Sequence, residues 1–136
     1  MENESLEKLA QEIRELSEFI HLIVQIIEKC GLKIIYPNTL DDYLAGYVVR
    51  VKTQKGIFPI TILSGNGERA LVSFIKIRDY MSQNSCSGVI VTKEELTPFV
   101  KMKVKLHNES NKENKIHLIS GTKGKELEGK LLEVLR

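Results

Sequence analysis

Basic residues fall into two short groups whose spacing suits contact with a phosphate backbone. They are Arg50, Lys52 and Lys55 in one group, and Lys101, Lys103 and Lys105 in the other. Lysine and arginine that neutralise phosphates release counterions, which gives salt-dependent binding with little sequence preference. The alternative for both groups is the solvated polar face of an ordinary strand or helix, because Arg50 and Lys52, like the three lysines of the second group, alternate with apolar residues.

Other motifs that carry chemistry are not found in the sequence. The glycine pair at residues 65–67 lacks the third glycine of a dinucleotide fingerprint and the Lys-Ser/Thr pair of a P-loop. Three histidines lie far apart, without the spacing of a zinc site, at His21, His107 and His117. Serine-nucleophile motifs are absent, and the two cysteines are too few for a disulfide framework. We therefore expect no small-molecule cofactor.

Composition predicts one globular domain whose two parts differ in charge. The chain has 136 residues, of which 42% are hydrophobic and 28% are charged. Its net charge is +2, yet residues 1–30 carry seven acids and three bases. The acidic start suits a protein contact and the basic remainder suits a polyanion. No apolar run reaches the roughly 18 residues of a membrane span, and the acidic start is unlike a signal peptide. We expect a cytoplasmic protein without a membrane partner.

One long helix is predicted at residues 1–30. Its apolar residues recur at intervals of three and four, and Gly31 follows as a helix terminator. The remaining residues, 31–136, are expected to form the α/β core of the same domain. The first half of the apolar seam lies ahead of the part that the core can cover, so we expect it to form a homodimer interface. The interface residues are Leu6, Leu9, Ile13 and Leu16.

The rest of the chain alternates between strand and helix patterns. Strands are predicted near residues 32–36, 47–53, 57–63, 89–91 and 115–120, and helices near residues 68–81 and 125–135. Residues 100–106 alternate with period two like a strand, but Thr97-Pro98 resembles a helix start, so we predict a helix there. The predicted fold is a three-layer α/β sandwich with a mixed central sheet and the element order α-β-β-β-α-β-α-β-α.

Residues 31–53, GLKIIYPNTLDDYLAGYVVRVKT, resemble the core of the PD-(D/E)XK, or restriction-endonuclease-like, superfamily. Within it they resemble the archaeal Holliday-junction resolvase and Mrr-like branches. A helix that ends in glycine is followed at once by a strand, and Asp42, or its neighbour Asp41, stands where the family has an acid opening a short strand. Residues 49–52, Val-Arg-Val-Lys, match the family's hydrophobic-Glu-X-Lys signature except at Arg50.

The resemblance implies a site of Asp42 and Lys52, with Glu18 as a helper acid on the first helix. In the family, acids hold Mg²⁺ at the scissile phosphate and the lysine stabilises developing negative charge. Arg50 replaces the signature glutamate and would repel the metal. Two like unit charges about 4 Å apart cost around 4 kcal/mol at an effective dielectric of 20.

We therefore expect a nuclease-like nucleic-acid-binding or assembly module with a degenerate catalytic site and DNA as its partner. Two alternatives stay open. The first is a Mg-dependent DNA endonuclease of Holliday-junction or restriction type, in which Asp42, Lys52 and Glu18 are catalytic and Asp42 binds the metal. The second is a structural homodimeric subunit without a nucleic-acid role.

Overall fold

The computed structural model describes residues 2–36, 47–64 and 68–136, which form an open five-stranded mixed sheet and four helices. This confirms the predicted α/β class, and the described elements follow the predicted order. In chain order they are α1 (Glu2–Lys29), β1 (Lys33–Ile35), β2 (Tyr47–Thr53), β3 (Gly56–Leu63), α2 (Glu68–Asn84), β4 (Gly88–Thr92), α3 (Pro98–Ser110), β5 (Ile116–Ser120) and α4 (Gly124–Leu135).

The strands lie side by side in the sheet in the same order as in the chain. β1 is antiparallel to β2, and β2 is antiparallel to β3, with Thr53 opposite Gly56 at the tight turn between them. β4 and β5 then add in parallel to β3 through the helical crossovers α2 and α3. As a result, β2 ends at the same end of the sheet at which the other four strands begin.

Strand residues alternate between two hydrophobic clusters. The first cluster joins Val49 and Val51 to buried residues of α1 and α4. The second cluster joins Ile90 and Ile116 to buried residues of α2 and α3. Because successive strand residues point to opposite faces, the side chains of β2 that alternate with Val49 and Val51 lie on the face away from α1.

From residue 4 onward, α1 is buried only in its C-terminal half. Its residues 4–14 are all exposed, whereas Phe19, Ile23 and Ile27 belong to the first cluster. The helix ends before Gly31, which has a φ of +76° and so adopts the left-handed conformation that commonly terminates helices. Among the described helices, none is long and apolar enough to cross a membrane.

The ambiguous segment at residues 100–106 is helical, as predicted. Val100 and Val104, one helical turn apart, are buried in the second cluster, while Met102 and Leu106 are exposed. A strand would place all four side chains on one face, whereas a helix separates them. Tertiary packing of the two valines therefore favours the helix over the period-two pattern.

Candidate nucleic-acid interface

Lysines are concentrated at one end of the sheet, where β1, β3, β4 and β5 begin and β2 ends. We call this surface the basic edge and define it by Lys33, Lys52, Lys55, Lys112 and Lys115. All five residues are exposed. Glu113 is the acidic residue within the loop that carries Lys112 and Lys115. The edge is therefore strongly cationic although the whole chain is close to neutral.

Two of these lysines stand directly opposite each other on neighbouring strands. Lys33 of β1 pairs in register with Lys52 of β2. Directly opposed residues have Cβ atoms about 4.5–5.5 Å apart, and like charges in that position are destabilising. The pair thus raises the free energy of the folded state, and an anion between the two ammonium groups would relieve the repulsion.

His117 on β5 lies close enough to two lysines of the basic edge for their charges to affect its pKa. Partial burial lowers the pKa of His117 below its ordinary value, and the charges of Lys115 and Lys55 lower it further. Lys55 belongs to the β2–β3 turn and Lys115 precedes β5, so positive potential extends across several strands. The sequence spacing alone gave no indication that these two lysines share a neighbour.

Arg50 lies beside the basic edge on the same face of β2 as Lys52. It is partly buried and stands in register between Ile35 of β1 and Pro59 of β3. The alternation with Val49 and Val51 directs it away from α1. Its guanidinium therefore adds a cation to the face that carries Lys52.

The three lysines of α3 do not form the single ridge that their alternation predicts. Helix residues two apart point about 200° apart, so Lys103 lies on the opposite side from Lys101 and Lys105. Lys103 Nζ lies 5.4 Å from the ring centroid of Phe99, which is a cation–π contact. The predicted set is thus divided between two surfaces.

Lys101 and Lys105 instead line a groove of about 490 Å³ together with Lys112 and Lys115. Lys101 also forms an ion pair with Glu95. Hydrogen bonding from Lys101 holds the pKa of the Glu95 carboxyl below its usual value, with a smaller contribution from Ser120. Lys105 lines the same groove and forms no ion pair among the described residues. Of the three lysines of α3, it is therefore the one that joins the groove to the basic edge.

Lys112 and Lys115 were missed by sequence reasoning, which placed Lys115 at the start of the strand predicted at residues 115–120 and gave no function to the loop before it. In the structure this loop is fixed to β5. Asn108 Nδ2 donates to the Ile116 carbonyl at 2.9 Å, and the Ile116 N–H donates to Asn108 Oδ1 at 2.8 Å. The helix end and the strand start are thereby held together. Lys112 and Lys115 could have been found by noting that the loop leads directly into a predicted strand, which places the lysines at the end of the sheet.

The proposed catalytic residues are not brought together by the described part of the chain. Asp42 and Asp41 lie outside the described residues. Glu18 is exposed on α1, which packs on the face opposite Lys52. Within residues 2–36, 47–64 and 68–136, no group of three or more His, Cys, Asp or Glu side chains is placed to hold a metal. The metal site therefore stays a prediction.

The seam predicted as a homodimer interface is uncovered in the single chain. Leu6, Leu9 and Ile13 are exposed, and Leu16 is partly buried. Their exposure agrees with the expectation that this half of α1 lies ahead of the core. The homodimer itself stays a prediction.

No family model matches this chain, and no curated protein or solved structure matches it either.

Proposed function

We propose that this chain is a nuclease-like module with a degenerate catalytic site, and that it binds DNA at its basic edge. The observation that carries the proposal is the like-charged pair Lys33–Lys52, which opposes folding and is accompanied by Lys55, Lys112 and Lys115 at the same edge. A purely solvated surface would gain nothing from cations placed directly opposite each other. A phosphate backbone neutralises them and releases counterions.

The size of the basic edge fits a polyanion better than a small ligand. Five strands with neighbours about 4.8 Å apart give an edge roughly 19 Å wide. Along one DNA strand, phosphates recur about every 3.4 Å of helix axis, so an edge of this width spans several of them. The groove beside α3 continues the positive surface through Lys105.

Recognition is expected to depend on the backbone rather than on bases. The cations at the edge are mainly lysines, which act as point charges and lack the planar fork with which arginine reads guanine. Arg50 is partly buried between neighbouring strands. Binding should therefore discriminate weakly among DNA sequences.

The proposal includes a three-layer restriction-endonuclease-like arrangement, which the element order and the helices of the two clusters support. It does not include magnesium-dependent hydrolysis, because Arg50 shares the face of Lys52 while Glu18 belongs to a helix on the other face. A metal ion next to Lys52 would meet a permanent positive charge.

Fluorescence anisotropy with labelled duplex, branched and single-stranded DNA tests the proposal. The informative variant is Lys33→Gln/Lys55→Gln, and the matched control is Lys123→Gln/Lys125→Gln, which removes the same charge from exposed residues around the start of α4. We expect the first variant to bind about 10-fold or more weakly and the control to bind like the original chain. Absence of binding at low salt, or equal weakening by both variants, would refute the proposal.

A further inference from the structure

The N-terminal half of α1 presents an apolar stripe that the described chain does not cover. We call residues 4–16 the N-terminal arm. Leu6, Leu9 and Ile13 are 64%, 46% and 57% exposed, respectively. Together with Leu16 they form a 3,4,3 spacing that continues into the buried Ile23 and Ile27. Seams with this spacing are typical of helices that pack against another helix.

The charges of the arm are placed so that an identical helix can approach. Glu4, Glu7 and Glu15 point well away from the seam, because each lies more than 100° around the helix from its centre. Ser5 and Ala10, which lie beside the seam, are small and uncharged. Self-association therefore does not bury most of the acidic side chains against one another.

Glu12 is the charged residue that flanks the four seam positions. Lys8 lies one turn before it in the same helix, so a counter-charge is already adjacent. In a pair of arms, two Glu12 and two Lys8 side chains fall along the same side. This flank then carries no net charge, and Lys8 of each copy offsets the repulsion between the two Glu12 side chains.

The position of the core favours an antiparallel arrangement. From Phe19 onward the same stripe of α1 is packed against the sheet through Ile23 and Ile27. In a parallel pair, each partner helix would run along this stripe into the core of the other copy. An antiparallel pair avoids the collision, because each arm overlaps the other arm and the two cores lie at opposite ends.

The seam is also symmetric about Gln11. Reversing the direction of an identical arm places Leu6 opposite Leu16 of the second copy and Leu9 opposite Ile13 of the second copy. Every seam side chain then has an apolar partner, and the two contacts repeat by symmetry, as a closed twofold dimer requires.

We propose that two copies of this chain associate through their N-terminal arms as an antiparallel helix pair centred on Gln11. Sedimentation velocity of the full chain over roughly 10–500 µM should show a concentration-dependent dimer. Leu9→Gln should raise its dissociation constant by about 10- to 100-fold, since about half of a leucine side chain per copy loses its cover. Leu22→Gln is the matched control, since Leu22 is 43% exposed on the same helix but lies off the seam.

Single cysteines distinguish the two directions. Two copies of residue 10 lie about 3 Å apart along the axis of the antiparallel pair, whereas two copies of residue 16 lie about 15 Å apart. Ala10→Cys should therefore be crosslinked between the two copies by a short bis-maleimide, whereas Leu16→Cys should not, because its two thiols lie much farther apart along the axis. A monomer at every concentration, a dimer insensitive to Leu9→Gln, or crosslinking through residue 16 and not residue 10 would overturn the proposal.

Discussion

Lys52→Glu should stabilise the folded protein. The substitution replaces the like-charged pair Lys33–Lys52 with an opposite-charged pair on β1 and β2. Directly opposed cross-strand pairs contribute about 0.2–1 kcal/mol, with like charges acting in the opposite sense. The lost repulsion and the gained attraction together give about 0.4–2 kcal/mol. Both side chains are exposed, so solvent screening places the gain in the lower half of this range, at about 0.5–1 kcal/mol. For a domain of this size the melting temperature should rise by about 2–5 °C.

Thermal unfolding followed by circular dichroism measures this effect, and two further variants isolate its cause. Lys52→Gln removes the repulsion without adding attraction and should give about half of the gain. Lys33→Glu/Lys52→Glu restores a like-charged pair and should give no gain from this contact. In 1 M salt the Debye length falls to about 3 Å, so the differences should shrink. A Lys52→Glu protein that melts no higher than the double variant at low salt would refute the assigned repulsion.

Two other predictions concern His117 and the glycines. Because the pKa of His117 is lower in the folded chain than its ordinary value of 6.5, the unfolded chain binds more protons, and the free energy of unfolding should fall as the pH drops below 6.5. His117→Gln should reduce the pH dependence of the free energy of unfolding, measured by urea titrations at pH 5–7.5. An NMR titration should show the pKa of His117 rising when DNA neutralises Lys55 and Lys115. An unchanged pH dependence and an unchanged pKa would contradict the assignment. Gly88→Ala should cost about 1–3 kcal/mol in urea unfolding, since the new Cβ would lie 2.8 Å from Met81 Sδ. Gly129→Ala, which meets nothing within 4 Å in α4, should instead stabilise by about 0.5–1 kcal/mol, and equal effects would refute the packing argument.

Local patterns were sufficient to predict most elements of the fold. β2 occupies Tyr47–Thr53 as predicted, because its β-branched residues and the turn after it are encoded in neighbouring positions. α3 shows where such patterns fail. Its alternating lysines look like one ridge in the sequence, but the burial of Val100 and Val104 makes the segment helical and divides the lysines between two sides.

The candidate site was predictable only in part. Arg50 and Lys52 were identified because they belong to one strand, so their common face follows from the alternation. Their association with Lys33 and Lys115 depends on strand pairing between segments far apart in the chain, which no local pattern encodes. Asp42, on which the catalytic alternative depends, lies outside the described residues.

The most direct test of DNA binding at the basic edge is the salt dependence of duplex affinity. The slope of log K against log salt should be steep for the original chain and should decrease in magnitude by about 1.8 in Lys33→Gln/Lys55→Gln, which removes two phosphate contacts. Lys123→Gln/Lys125→Gln should leave the slope unchanged. A slope near zero in the original chain, or the same slope in all three proteins, would contradict the proposed interface.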